Sequence, residues 1–229
     1  ILSGLVGSEM CIRDSSKGVG VDCPTSNNYA KRAGAKLRLP VRDFSCSGAV
    51  SMSRGPQIFQ QVDAAIRTGA LSPATNRVVI TTGFNDTYNH RDMSLPQIRK
   101  EFADRTAPQI ERIKRAAPNA RVQIVGYPTI GTGPYYCLFH FGPRPADSTF
   151  LPGIQDFENK AQWMQVDLAA RTGVQFLDMK PSTRNNGMCA DANQRMWAGL
   201  VDFTAGDGNL PIHMNQRGHE HAANVIAHS

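Results

Sequence analysis

Residues 78–86 read VVITTGFND, and this stretch decides the fold class of the chain. Its β-branched start, Val78 to Ile80, is typical of a strand buried in a parallel sheet. The strand run stops at Gly83, and the polar pair Asn85-Asp86 follows after Phe84. Ligands of open α/β sheets bind beyond the carboxyl ends of the strands, and a side-chain amide there can donate to a developing oxyanion. The alternative is a plain strand-ending turn, since Gly, Asn and Asp are common turn residues.

The segments on both sides of this stretch alternate between helical and strand patterns. Helices are expected at 28–35, 56–68, 95–113, 154–168 and 216–227, and strands within 36–45, 77–82, 121–126 and 174–177. Pro108 is expected to kink or divide the long third helix. The alternation predicts an α/β fold, a three-layer sandwich with a central parallel sheet. Residues 127–153 have no period, and a loop of that length usually has a function or covers a cleft.

The composition limits which classes of binding partner are expected for the chain. The 229 residues suit one domain. Lys and Arg exceed Asp and Glu by 25 to 19, for a pI near 9.2, but the basic residues are scattered among acids. The pattern therefore argues against nucleic-acid binding and is compatible with mild attraction to anionic surfaces. No apolar run reaches the length of a transmembrane helix.

The N-terminal segment has an unusual sequence. Residues 7–15, GSEMCIRDS, resemble the translated adapter sequence found at the ends of metagenomic gene fragments. We therefore expect residues 1–15 to be non-native sequence that replaces the first strand, and residues 16–229 to form a single domain. The lack of a signal peptide in this fragment then says nothing about localisation.

Outside that segment, four cysteines remain: Cys23, Cys46, Cys137 and Cys189. None lies in a CxxC pair, so a zinc site is not expected. They are either buried free thiols or two disulfides with three possible connectivities.

Three short motifs follow one another in a fixed order: CSGA at 46–49, GFND at 83–86 and HMNQRGH at 213–219. This order and spacing resemble the SGNH (GDSL-type) serine esterase family over residues 16–229. The resemblance implies the flavodoxin-like SGNH hydrolase fold and a serine esterase or lipase that hydrolyses carboxylic esters through an acyl-enzyme. The likeness to disulfide-bearing actinobacterial esterases and lipases implies a secreted monomer without cofactor or metal, acting on small-molecule or lipid esters.

The resemblance also implies roles for single residues. Gly48 matches the block whose backbone N–H enters the oxyanion hole, and Gly83 and Asn85 match the next block, with the Asn85 amide as another donor. His213 matches the catalytic histidine, and Asn215 follows it as in the family. Each oxyanion donor is typically worth about 10²–10³ in rate.

The acid that orients the histidine in many family members is replaced by Leu210. Some members use a backbone carbonyl at that place, which gives a Ser–His dyad. The Leu210 carbonyl is therefore the predicted orienter, with Asp207 as a weaker alternative. An uncharged acceptor can still fix the tautomer of the imidazole.

The nucleophile block departs from the family's Gly-Asp-Ser pattern. Residues 13–20 read RDSSKGVG, and a gapless alignment puts Asp14 where the serine belongs. One deletion restores Asp14-Ser15 as the Asp-Ser pair, so Ser15 is the candidate nucleophile and third oxyanion donor, with Ser16 as a fallback. The native serine is expected to have been lost with the true N-terminus.

The likeness also leads us to predict the disulfides Cys23–Cys46 and Cys137–Cys189. The altered nucleophile block favours one alternative function, a catalytically impaired domain that binds cell-wall glycan or lipid. A metal site of His213, His219 and His221 is not expected, because two helical residues at i and i+2 do not face one ligand. A nucleotide-binding site is not expected either, because no glycine-rich phosphate loop follows any predicted strand.

Overall fold

The computed structural model describes residues 2–6, 28–46, 48–53, 57–206 and 210–229. The predictions for Asp14, Ser15, Ser16, Cys23 and Asp207 fall outside these residues. The described strands are β1 (Leu2–Val6), β2 (Val41–Asp43), β3 (Arg77–Thr81), β4 (Arg121–Val125), β5 (Tyr135–Tyr136), β6 (Phe139–His140), β7 (Thr149–Phe150), β8 (Gln175–Leu177) and β9 (Val201–Asp202). The described helices are α1 (Tyr29–Leu37), α2 (Ile58–Arg67), α3 (Phe84–Asn89), α4 (Leu95–Ala116), α5 (Pro152–Thr172), α6 (Lys180–Thr183) and α7 (Gln216–Ala227).

A five-stranded sheet in the order β2-β1-β3-β4-β8 forms the centre of the described structure. All of its neighbouring strands are parallel. Along β3 the side chains alternate between the two faces. Val79 joins a core with residues of α1 and α7, and Val78 and Ile80 join a second core with residues of α2, α4 and α5. The predicted three-layer α/β sandwich is therefore confirmed.

Strand β1 lies between β2 and β3, in register with β3 along its whole length. The N-terminal segment thus supplies the strand that precedes the predicted nucleophile block. That residues 1–15 are non-native stays a prediction, as does the single domain over 16–229.

The division of the third helix at Pro108 was a wrong prediction, because α4 runs unbroken from Leu95 to Ala116. Ile98 and Phe102 before the proline and Ile110 and Ile113 after it are fully buried in one core. Burial of one continuous apolar face outweighs the single backbone hydrogen bond that a proline removes.

Residues 127–153 contain short strands that the sequence did not reveal. Strand β5 pairs with β7, and β6 pairs in parallel with β9. The predicted disulfide Cys137–Cys189 is confirmed, with a Cα–Cα distance of 4.9 Å. Cys46 is also disulfide-bonded, so free thiols are excluded for these three cysteines. None of the helices in the described ranges is long and apolar enough to cross a membrane.

Candidate active site

His213 is held just ahead of α7 by its own backbone. Its Nδ1 lies 2.7 Å from the carbonyl oxygen of Pro211, so Nδ1 carries the proton and donates it. Its Nε2 is buried and has no hydrogen-bond partner among the described residues. The imidazole is thus fixed in the tautomer that presents a lone pair on Nε2, as a general base requires.

The orienting carbonyl belongs to Pro211 and not to Leu210, which corrects the sequence prediction. The cause is the backbone of Ile212, which has φ of 60°. A β-branched residue in the left-handed region is a genuine outlier, and such strain clusters at functional sites. This conformation folds the chain back so that the carbonyl two residues before His213 meets its ring. Leu210 is instead exposed.

Asn85 lies in the first turn of α3, directly after β3. Its Nδ2 donates to the carbonyl of Ala49 at 3.1 Å, and its Oδ1 accepts from the Tyr88 hydroxyl at 3.1 Å. Burial and the nearby charge of Asp86 raise the pKa of Tyr88, which keeps that hydroxyl protonated. An amide nitrogen has two donors, and the second N–H of Asn85 has no acceptor among the described residues.

Asp86 connects α3 to the segment that follows Gly48. Its carboxylate accepts from the backbone N–H groups of Ser51 (2.9 Å), Met52 (2.8 Å) and Ser53 (3.2 Å), and from the Ser53 hydroxyl (3.1 Å). The carboxylate is fully buried, and this desolvation raises its pKa although the hydrogen bonds oppose the shift. Asp86 therefore connects α3 to the segment 51–53 through hydrogen bonds and is not a plain turn residue.

The two predicted glycines occupy special backbone conformations. Gly48 has φ of 76° and Gly83 has φ of 115°. A side chain at Gly83 would also approach Phe102 to 3.2 Å. Ala49, next to Gly48, accepts a hydrogen bond from Asn85, which lies two residues after Gly83. This bond connects the two glycine-containing motifs. The structure thus brings the predicted Gly48, Gly83 and Asn85 together.

The start of α7 is fixed by Asn215. Its Oδ1 accepts from Gly218 N at 3.0 Å and its Nδ2 donates to Arg195 O at 2.7 Å. A Cβ at Gly218 would lie 2.4 Å from Met196 O, so only glycine fits. In the next position, desolvation together with the charges of Arg32 and His213 lowers the pKa of His219 to about 4.

An apolar cavity of about 450 Å³ opens beside His213 and Asn85. Its remaining lining is aromatic or aliphatic: Phe84, Tyr88, Tyr127, Ile130, Tyr136, Leu138, Leu151, Ile154, Phe157, Met188, Trp197 and Ile212. Buried Glu158 fixes this wall by accepting from Gly131 N (3.0 Å) and the Tyr136 hydroxyl (2.7 Å) and by pairing with Lys180. The imidazole of His213, the amide of Asn85 and apolar side chains therefore line the same cavity.

A family model described as GDSL-like lipase/acylhydrolase matches residues 14–221. The chain belongs to this family. Membership makes this GDSL-like acylhydrolase a carboxylic ester hydrolase, in agreement with the sequence prediction. No curated protein sequence matches it significantly.

Solved structures share the fold of this GDSL-like acylhydrolase. Phospholipase A1 from Streptomyces albidoflavus is 16% identical with a TM-score of 0.60, covering 97% of this chain and 98% of that one. An extracellular lipase from Streptomyces rimosus is 17% identical with a TM-score of 0.52 (98% and 99% covered). Est24, a carbohydrate acetylesterase from Sinorhizobium meliloti, is 15% identical with a TM-score of 0.55 (99% and 96% covered).

The sequence did not reveal several residues of this acylhydrolase site. Pro211, Tyr88 and the aromatic lining are residues of ordinary type, and their roles depend on tertiary placement. The only signal was the aperiodic, aromatic-rich segment 127–153, which supplies much of the cavity wall. The candidate nucleophile Ser15, its neighbours Asp14 and Ser16, and Asp207 lie outside the described residues.

Proposed function

We propose that this acylhydrolase is a secreted, monomeric serine esterase that cleaves esters with apolar acyl groups through a Ser–His dyad. The observation that carries the proposal is His213, whose Nδ1 is hydrogen-bonded to a carbonyl. Its buried Nε2 lies beside the cavity and has no partner within the part of the chain that the structure describes. The disulfides support the secreted assignment, because disulfides persist in oxidising compartments.

The chemistry follows from this arrangement. The serine, Ser15 in this chain, transfers its proton to Nε2 of His213 as its oxygen attacks the acyl carbon. The N–H groups of Ser15 and Gly48 and the free N–H of Asn85 stabilise the oxyanion. The imidazolium returns its proton to the leaving alcohol, and an activated water then hydrolyses the acyl-enzyme. Pro211 keeps Nδ1 protonated throughout and takes the place of the usual acid.

The apolar lining of the cavity favours binding of an apolar acyl chain of the ester substrate. Burial of each methylene is worth about 0.8 kcal/mol, and the cavity beside His213 offers almost only apolar side chains. For p-nitrophenyl esters, we therefore expect kcat/KM to rise from acetate to octanoate.

Labelling with a fluorophosphonate tests the nucleophile and the base together. The test uses the restored chain, in which residues 1–15 are replaced by a strand ending in Gly-Asp-Ser plus one spacer residue. We expect the label on the introduced serine, mapped by mass spectrometry, and much slower labelling in the His213→Ala variant. Labelling elsewhere, or at the same rate without His213, would refute the dyad.

A further inference from the structure

Three buried residues of the cavity lining are connected to one another through the backbone and one disulfide. Ile130 exposes 4% of its surface, and Tyr136 and Met188 expose 1% each. The carbonyl of Ile130 accepts from Met188 N at 2.7 Å. Tyr136 and Met188 directly precede Cys137 and Cys189, which form the disulfide. We call these three lining residues the inner end of the cavity.

Another part of the cavity lining is in contact with solvent. Ile212, next to His213, is 38% exposed. Four further apolar lining residues are partly exposed: Leu138, Leu151, Ile154 and Phe157. The cavity is therefore open to solvent along these residues, whereas the inner end is enclosed by the protein. An apolar chain that enters from the open side extends towards the inner end.

The ring of Tyr136 is held in a fixed position at the inner end. Its hydroxyl donates to the carboxylate of Glu158 at 2.7 Å. The same carboxylate accepts from the backbone N–H groups of Ile130 (3.2 Å) and Gly131 (3.0 Å), and it pairs with Lys180. A Cβ at Gly131 would lie 2.6 Å from the Tyr136 ring, so the ring packs directly against the backbone there. A packed interior does not yield easily to an additional group.

The hydroxyl of Tyr136 is engaged by Glu158 and stays protonated. Burial, together with the charge of Glu158, raises the pKa of Tyr136, so the hydroxyl remains a donor to that carboxylate. The surface that Tyr136 offers to a ligand in the cavity is therefore its aromatic ring. Such a surface favours the end of an apolar chain, because a polar group placed there would lose its hydrogen bonds to water.

We propose that Tyr136 is the specificity-determining residue for acyl-chain length, because its fixed ring closes the cavity at the inner end. Each methylene of the acyl chain gains burial until the chain reaches this ring. Further methylenes have to displace a packed side chain or stay in water, so they add nothing to the affinity. The assignment rests on the proposed function, since it takes the cavity as the site of the acyl chain.

Binding of linear methyl ketones tests this limit without any catalytic step. A methyl ketone has the carbonyl of an ester but no leaving group. Ketones of increasing chain length, from pentanone to pentadecanone, are titrated calorimetrically into the chain as it stands. Each buried methylene should tighten binding by about fourfold, until the ketone reaches Tyr136 and the gain per methylene stops.

Substitutions of Tyr136 should move the chain length at which the gain stops. In Tyr136→Ala and Tyr136→Leu it should increase by about two methylenes or more, since an aromatic side chain buries several times the area of a methylene. Tyr136→Phe keeps the ring against Gly131 and should keep the limit. The matched control is Phe157→Ala, a partly exposed aromatic residue of the same lining. It should weaken binding of all the longer ketones by a similar factor and leave the limit unchanged.

Three results would overturn the assignment of Tyr136. The parent could bind no ketone or gain affinity up to the longest one, the folded Tyr136 variants could keep the limit of the parent, or Phe157→Ala could move it equally. Thermal unfolding checks that each variant is folded. If Tyr136→Ala is unfolded, Tyr136→Leu decides, because it keeps a buried apolar side chain.

Hydrolysis of p-nitrophenyl esters by the restored chain separates this assignment from the proposed function. The chain-length profile of kcat/KM should shift in Tyr136→Leu as the ketone limit does. Ester hydrolysis with an unchanged profile in Tyr136→Leu would refute the role of Tyr136 alone. A ketone limit that shifts as expected, in a restored chain that hydrolyses no ester, would count only against the esterase chemistry.

Discussion

At the scale of single residues, the Pro211 carbonyl fixes the tautomer of His213 and leaves Nε2 as the basic nitrogen. A carbonyl can hold the Nδ1 proton at 2.7 Å without adding a negative charge to the site. The sequence analysis predicted that the Leu210 carbonyl orients His213, whereas the structure has the Pro211 carbonyl at Nδ1. The left-handed φ of Ile212 could not be predicted, because a β-branched residue rarely adopts it.

The first prediction compares His213 with Asp207 in the restored chain. His213→Ala should remove nearly all ester turnover, because it deletes the base that we propose accepts the serine proton. Asp207→Asn should cost much less, since the carbonyl already orients the ring. Steady-state hydrolysis of p-nitrophenyl butyrate measures both, with His228→Ala as an exposed control. Equal damage from Asp207→Asn would reveal a Ser–His–Asp triad.

The second prediction concerns the oxyanion donor. Asn85→Ala in the restored chain should lower kcat by about 10²–10³ while KM changes little, because the lost hydrogen bond strengthens in the transition state. Asn89→Ala, an exposed position on the same helix, is the matched control. Full turnover in Asn85→Ala would show that Asn85 is not an oxyanion donor, and the melting temperature of the variant checks that it is folded.

The third prediction concerns acid stability. The pKa of His219 is lowered to about 4 from 6.5, so the unfolded chain binds a proton there before the folded chain does. Stability from neutral His219 is therefore present above pH 6.5 and is lost as the pH falls towards 4. The difference corresponds to about 3 kcal/mol of unfolding free energy.

Urea unfolding at pH 7 and pH 4.5 measures this effect. The loss of stability between the two values should be smaller in His219→Gln than in the parent, whereas the exposed His228→Gln should behave like the parent. An identical pH dependence in His219→Gln and the parent would show that other groups cause the acid sensitivity.

At the scale of elements, α3 follows the carboxyl end of the central strand β3 and is hydrogen-bonded through Asp86 to the segment after Gly48. The sequence predicted a turn or a donor site at GFND, but it did not reveal this six-residue helix, which is too short to show an apolar period. Asp86 could not be assigned either, since its partners are backbone N–H groups more than 30 residues away.

The fourth prediction tests this connection. Asp86→Asn replaces one acceptor oxygen by an NH₂ group facing N–H donors, which should lower the unfolding free energy by about 1–3 kcal/mol. Turnover of the restored chain should also fall, because the Gly48 segment loses its anchor. Thermal unfolding and ester hydrolysis check both effects, with exposed Asp92→Asn as the control. If the variant is as stable and active as the parent, Asp86 does not anchor the segment after Gly48.

At the scale of the whole molecule, the sheet and its helices could be predicted because buried strands and amphipathic helices have distinct periods. Helix α5 covers the helix predicted at 154–168, and β3 lies within the strand predicted at 77–82. The cavity could not be predicted, since its wall combines segments from 84–88, 127–157, 188–197 and 212–213. These segments are distant in sequence and become neighbours only in the folded chain, so no local sequence pattern predicts the cavity.

We propose that this fold carries serine esterase chemistry based on His213, and we predict that the nucleophile block limits the activity of this sequence. Arg13 stands where the family's Gly-Asp-Ser pattern has glycine, and we predict that this difference impairs the nucleophile block. The most direct measurement is p-nitrophenyl butyrate hydrolysis by the parent chain, the restored chain and the restored chain with His213→Ala. Turnover should rise by orders of magnitude on restoration and disappear again without His213. A restored chain that folds and hydrolyses no ester would contradict the account and favour a binding domain.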